Sequence, residues 1–339
     1  MVKANMDVVE RRWLRAALTF LASRQRAVSC TRAMDTSGEG RHLFEAGVRS
    51  LRGARRDDHE AAHCFEAAAA FGNMRALSAL ATLYFEGRGG IERNEGEALR
   101  LWTIAAAAGC GHAECNLGVM YERGLAGCTR DYGMAMYWFR RAAHHRNAAA
   151  MFNQAILWRD GRGVRQSDEK AVACLRDAVA LGHTESLVDL GWHFFHGRGV
   201  AQRDRMAAAM FDRAAREGSA MGMFNLGWMF KHGRGVQRNY ACAARLYAHA
   251  AARGFASAQC ALGELYARGR GVMRDFQSAH DWWQRAAMQG HVGAMHNIAD
   301  AYERGDGVDR DVEQAMHWRA LALGTATRAR LAAPFAVGV

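Results

Sequence analysis

Proline is nearly missing from this chain. Its 339 residues hold a single one, Pro334, so no helix before that point meets a ring that lacks an N–H and clashes with the preceding turn. Paired-cysteine motifs are missing as well. The eight cysteines include no Cys-x-x-Cys, which removes the usual zinc-ribbon and dithiol signatures and any regular disulfide framework. A reducing setting, read here as the cytoplasm, is the simpler expectation. There is no apolar run of bilayer length. Residues 16–22 form a short apolar stretch flanked by Arg11, Arg12, Arg15, Arg24 and Arg26, too short for a membrane span or a secretory signal. Walker and nucleophile-elbow motifs do not occur, and Gly87-Arg88-Gly89-Gly90 has no strand before it to make a dinucleotide fingerprint. No cofactor is therefore expected. Nor is there a block of like charge. The net charge of +11 is diffuse, which suits acidic partners in general and argues only weakly for nucleic acid.

What the chain does have is a period. A glycine opens the same tight turn at Gly87, Gly124, Gly161, Gly197, Gly233, Gly269 and Gly305, at spacings of 37, 37 and then 36 residues. Most copies read Gly-Arg-Gly-Val, as at Gly161-Arg162-Gly163-Val164. A fixed period in this range marks a solenoid, in which each repeat buries its apolar face against its neighbours. Within residues 219–254, Ala220, Met223, Leu226, Gly227 and Phe230 recur at helical spacing. Gly233 and Gly235 end that helix, and Ala243, Leu246, Tyr247, Ala250 and Ala251 mark a second. The expectation is two antiparallel helices per repeat, with Val236 plugging the turn. Small residues (Gly118, Ala155, Gly191, Gly227, Gly263 and Ala299) fill one slot in the first helices. Glycine inside a helix costs about 1 kcal/mol relative to alanine, so its recurrence predicts that another helix approaches closely there. Several cysteines obey the same pattern: Cys64 and Cys174 fall in a second-helix core slot, Cys115 and Cys260 in a first-helix one, and Cys128 replaces the turn valine.

Leu-Gly-x-Met-aromatic, as in Leu117-Gly118-Val119-Met120-Tyr121 and Leu226-Gly227-Trp228-Met229-Phe230, is followed by Gly-x-Gly-Val and then Ala-x-x-x-aromatic-x-x-Ala-Ala. This pattern resembles the Sel-one-like repeat family, relatives of the tetratricopeptide repeats. The resemblance covers residues 73–324 in seven repeats, preceded by a degenerate one at 41–72 whose first helix is residues 43–51 and whose second carries Ala61, Cys64, Phe65 and Ala68. One repeat departs from the glycine pattern at Leu125-Ala126, and the last stops at Gly324. Residues 1–40 read as a basic N-terminal extension, with a mitochondrial transit peptide as the alternative, and residues 325–339 as a tail. The resemblance implies an all-α, right-handed alpha-alpha superhelix of helix-turn-helix repeats. It also implies a non-enzymatic scaffold or adaptor that holds a protein or peptide ligand in its concave groove.

In tetratricopeptide relatives the first helices line that groove, and the residue before the Leu-Gly pair is often an asparagine that clamps a bound peptide. Here the position reads Asn116, Asn153, Asp189, Asn225, Ala261 and Asn297. An amide offers both donor and acceptor to an extended backbone; the alternative is that these amides tie neighbouring helices together. The residue after the pair, on the same face, reads Thr82, Val119, Ile156, Trp192, Trp228, Glu264 and Asp300. Trp192 and Trp228 are the expected hot spots, since tryptophan is enriched where binding energy concentrates; the alternative is that they fill space between helices. One turn further stand Arg159, His196, Lys231, His232, Arg268 and Arg304. The expected groove has an aromatic middle, basic flanks and an acidic C-terminal end. Turn arginines (Arg88, Arg162, Arg198, Arg234, Arg270) form a ladder that could meet RNA phosphates, but acids nearby, such as Asp131, Asp204, Asp275 and Asp311, favour local pairing. RNA is not the expected partner.

One string carries chemistry by itself. His59-Glu60-Ala61-Ala62-His63 satisfies His-Glu-x-x-His, which sets two imidazoles on one helix face for zinc with a glutamate as general base. The string also fits the repeat register, with Ala61 in the small slot and His63 pointing outward, and no third histidine follows at metzincin spacing. The expectation is no metal and no catalytic residue, with a zinc-dependent hydrolase or an organellar RNA-binding helical-repeat protein as the alternatives to a scaffold.

Overall fold

The computed structural model describes residues 38–52 and 56–332. Residues 1–37 and 333–339, on which most of the extension and tail readings fall, lie outside the described residues. Sixteen helices follow one another with no strand among the described residues, an all-α helical-repeat solenoid. Two compact units divide the chain. The first, through His183, holds α1 (Glu39–Arg52), α2 (Asp58–Ala70), α3 (Met74–Glu86), α4 (Glu95–Ala107), α5 (Gly111–Arg123), α6 (Tyr132–His144), α7 (Ala148–Asp160) and α8 (Asp168–Ala180). The second, from Thr184, holds α9 (Thr184–His196), α10 (Asp204–Arg216), α11 (Ala220–His232), α12 (Tyr240–Ala252), α13 (Ala256–Arg268), α14 (Phe276–Met288), α15 (Val292–Arg304) and α16 (Val312–Ala332).

Every helix from α2 to α15 is 13 residues long. The two longer spacings therefore arise in turns, where Gly90 and Gly127 are the added residues, both left-handed at φ 74° and 77°. The apolar turn residue tucks into the core as expected, partly buried at Ile91, Val164 and Val308. Helix α16 continues past Gly324 to Ala332 because Gly324 keeps a helical backbone.

In five of the eight hairpins an aromatic ring of the second helix lies on a glycine of the first. A β-carbon at Gly227 would sit 2.7 Å from Tyr247 Cε1, one at Gly118 2.4 Å from Phe139, one at Gly191 2.6 Å from Phe211 and one at Gly263 2.5 Å from Trp283. All four rings are buried. The close approach predicted from the small-residue slot is thus a ring-on-glycine contact. Where the first helix carries Ala155, the register partner shrinks to Leu175. Ala81 faces Trp102 instead, whose indole N–H donates to Ser78 O at 3.1 Å.

Neighbouring repeats are joined by the turn. Arg88 makes two bonds to Asp58, at 3.0 and 2.8 Å, and Arg234 two to Asp204, at 2.6 and 3.1 Å. Each acid opens the second helix of the preceding repeat. Where tyrosine opens it, the arginine lies over the ring: Arg162 over Tyr132 at 5.8 Å and Arg270 over Tyr240 at 5.5 Å, within cation–π range. Where the turn carries Leu125, the opener Glu95 takes the Ala126 N–H at 3.1 Å instead. The expected local pairing is present, Arg88 bonding Glu86 and Arg162 lying 3.4 Å from Asp160, and pairing across the repeat boundary adds to it. Asp131, Asp275 and Asp311, the acids beside the turns, are occupied as helix N-caps. Asn73 and Asn147 cap α3 and α7, and each also donates to a carbonyl one repeat back, Gly40 and Gly111.

One polar group is fully enclosed. Glu114 of α5 has no exposed side chain, with Arg141 Nε 3.0 Å from one oxygen and His145 Nε2 3.8 Å from the other. Neither oxygen meets good hydrogen-bond geometry. Burial raises its carboxyl above the ordinary range, with Arg141 and His145 pulling it back. A carboxyl that holds its proton more tightly in the folded chain adds stability below its unfolded pKa and loses it as pH rises through the folded value.

Two predictions follow from this packing. Gly227→Leu should overpack the α11–α12 contact by about 1–3 kcal/mol, and Tyr247→Leu should recover most of the loss caused by Gly227→Ala, since that pair copies Ala155 and Leu175. Thermal melting measures both; an unchanged midpoint for Gly227→Leu would remove the close-packing argument. Glu114→Gln, which places the residue type of Gln259 in the equivalent slot, should raise the melting temperature relative to wild type more at about pH 8 than at about pH 4. A difference that reverses with pH would instead make the Glu114 ion pair net stabilising.

Candidate partner-binding surface

In the C-terminal unit, four of the residues singled out from sequence come together. Trp192 lies against His196 in a tilted stack, with ring centroids 4.1 Å apart and planes at 35°, and Trp228 stacks on His232 at 4.0 Å, one repeat further on. Each pair is i,i+4 on its helix, so α9 and α11 present it on one face. His196 Nδ1 lies 3.0 Å from the Trp192 carbonyl and His232 Nδ1 2.9 Å from that of Trp228. A carbonyl only accepts, so Nδ1 carries the hydrogen and Nε2 of the neutral ring is an acceptor. Phe195 joins the two stacks, its ring edge-on to Trp228 at 5.4 Å. Arg198 lies over Trp192 and Arg234 over Phe195, at 5.4 and 4.7 Å. Trp192 is 36% exposed, and both histidines are exposed. The result is a continuous aromatic strip with cationic edges.

The columns change character beyond α11. Lys231 Nζ is 2.9 Å from Glu264 Oε2, so the expected basic flank is neutralised by the expected acidic end. Asp300 meets Arg319 at 3.2 Å and Arg304 at 3.8 Å, and Glu303 also bonds Arg319. Arg268 and Asn297 share a recess of about 320 Å³ with Asp300 and Asp306. The Asn297 amide reaches Cys260 Sγ at 3.5 Å, which is the helix-tying role. Asp189 on α9 and Asn225 on α11 are half-buried.

The N-terminal unit has its own groove of about 1060 Å³, walled by α1, α3 and the starts of α5 and α7, and Asn116 lines it. Asn153 is half-buried on α7. Sequence reasoning passed over Phe195 and over Arg146, which also lines this groove. Position 146 gave a signal: it holds arginine where the other inter-repeat turns hold glycine.

His59 and His63 are exposed on α2 with ring centroids 4.9 Å apart. His63 lies 3.9 Å from Glu66, and among the described residues no group of three potential ligands gathers to hold a metal. No described helix is long and apolar enough to cross a membrane.

The Sel1 repeat family model matches residues 43–73, 75–110, 111–147, 148–183, 184–219, 220–255, 256–291 and 292–322. Among solved structures, the chain is similar to a protective antigen present in uropathogenic Escherichia coli strains, a protein with an SLR fold. The identity is 28% over 85% of this chain and 62% of that one, with a TM-score of 0.69, so this chain spans less than two thirds of that relative. It is also similar to a Sel1 repeat protein from Oxalobacter formigenes, at 24% identity over 73% of this chain and 96% of that one, with a TM-score of 0.66. Comparison with curated protein sequences gave no match. Eight consecutive repeat matches, laid on sixteen helices, decide the assignment: the chain belongs to the Sel1 repeat family.

Proposed function

We propose that this chain is a non-catalytic scaffold that holds a protein segment against the aromatic strip of Trp192, Phe195, His196, Trp228 and His232. Sel1 repeat proteins are generally protein-interaction scaffolds, and the strip supplies a place for the contact. One observation carries the reading: two Trp–His stacks, repeated on adjacent first helices and joined by Phe195. They are not what closes these two hairpins, because the sealing rings, Phe211 and Tyr247, come from the second helices. Rigid aromatic side chains give large contact area for little conformational entropy, which is why they anchor interfaces. The imidazole Nε2 atoms add acceptors for backbone or side-chain donors of the partner.

The test is affinity purification of the tagged chain from its native cells beside a Trp192→Ala/Trp228→Ala variant, with bound protein and RNA quantified. A folded variant, checked by circular dichroism and melting, should lose a discrete set of proteins. Removal of one anchoring tryptophan should cost about 2 kcal/mol of binding or more. An unchanged protein set, or cargo that vanishes only with ribonuclease, would sink this reading.

A further inference from the structure

The groove of the N-terminal unit has a charge that the whole-chain composition hides. Its floor is apolar, formed by Phe44, Val48, Leu51 and Met74. Around it and along its adjoining outer lip stand Arg41, Arg49, Arg52, Arg75 and Arg146. Imidazoles of His42, His112 and His145 lie among them. Among the described residues of both walls the one carboxylate is Glu45, and it is bound to Arg41 at 3.0 Å. Glu114 lies behind His145, fully buried, with Arg141 against it. The groove therefore presents cations over an apolar floor, with almost no opposite charge of its own.

Arg146 was not placed there by turn geometry. The equivalent turn residues Gly72, Gly109, Gly182, Gly218, Gly254 and Gly290 all have φ between 81° and 91°. Arg146 takes the left-handed region too, at φ 57°. A residue with a β-carbon is strained there and glycine is not. The chain accepts that strain at one inter-repeat turn, and there the side chain is a guanidinium on the groove wall.

Resting on the scaffold reading above, we infer that this groove is a second docking surface, whose occupant is an acidic protein segment carrying an apolar anchor residue. Carboxylates of the segment meet Arg52, Arg75 and Arg146, and its apolar side chain enters between Val48, Leu51 and Met74. Asn116, which lines the groove, carries an amide that offers donor and acceptor to the segment's backbone. A protein segment fits better than single-stranded RNA. RNA binding without base pairing relies on open aromatic faces for stacking, whereas the groove's Phe44 has Arg75 over its ring at 4.9 Å and packs on Phe65.

A random twelve-residue peptide library displayed on phage, panned against the full chain, supplies the probe without a known partner. The enriched peptides should be net negative with at least one large apolar residue. Their affinity should fall about tenfold in Arg52→Glu/Arg75→Glu and about threefold in Arg146→Gly. Arg146→Gly decides between a structural and a binding role: it relieves the backbone, so melting should hold or rise while peptide affinity drops. Enrichment of neutral or basic peptides, or affinity indifferent to these arginines, overturns the inference. If such peptides are lost in Trp192→Ala/Trp228→Ala instead, the scaffold reading stands and only this groove falls. No enrichment on either surface brings down both. A fluorescein-labelled oligouridine that binds these arginines more tightly than the selected peptides would overturn it in favour of RNA.

Discussion

Two helices lie ring against backbone most closely where one of them has no β-carbon. At Gly47, Gly118, Gly191, Gly227 and Gly263 that condition is met, and an aromatic ring from the second helix fills the space. The contact fixes how near the two helices of a hairpin sit and in what register. It also divides labour on the first helix. One face is committed to the ring, and the residues on either side of the Leu-Gly pair are free to vary between asparagine, tryptophan, glutamate and aspartate. The last repeat shows what happens when the ring is absent. Arg319 takes the position of Trp283, opposite Ala299, and turns its guanidinium to Asp300 and Glu303.

A second rule, thirty residues long, works across repeats. The turn arginine answers whatever opens the preceding second helix: an ion pair with aspartate, a cation–π contact with tyrosine. Half-exposed pairs of this kind add little stability, because water screens them. Their geometry matters more, because two-pronged bonds such as Arg234 to Asp204 hold one repeat in register on the next. Asn73 and Asn147 act similarly, capping one helix while holding the helix one repeat back.

The period, the hairpins and the glycine contact were legible in the sequence because each recurs in register and each has one physical cause. The Trp192–His196 and Trp228–His232 stacks were half legible, since i,i+4 spacing places them together but does not reveal Phe195 between them. Pairings between repeats were harder. Asp204 stands one residue from Arg203 and thirty from Arg234, and sequence proximity suggested the wrong kind of partner. Lys231 and Glu264 looked like separate basic and acidic zones because nothing in one dimension says that adjacent helices bring them to 2.9 Å. The charge of the N-terminal groove was diluted, its arginines being drawn from three stretches near residues 41–52, 75 and 146. Arg146 itself was readable as the exception in a column of glycines.

Constant helix length has a mechanical meaning. Because every inner helix is 13 residues and the odd extra residue is taken up by a turn, each hairpin within a unit is an interchangeable link that packs chiefly on the helices next to it in sequence. Such a chain has no single keystone whose loss collapses the rest. Pulled from an end, it would pay out one hairpin at a time like links from a reel, and a partner held on an inner link would stay held while an outer one opened.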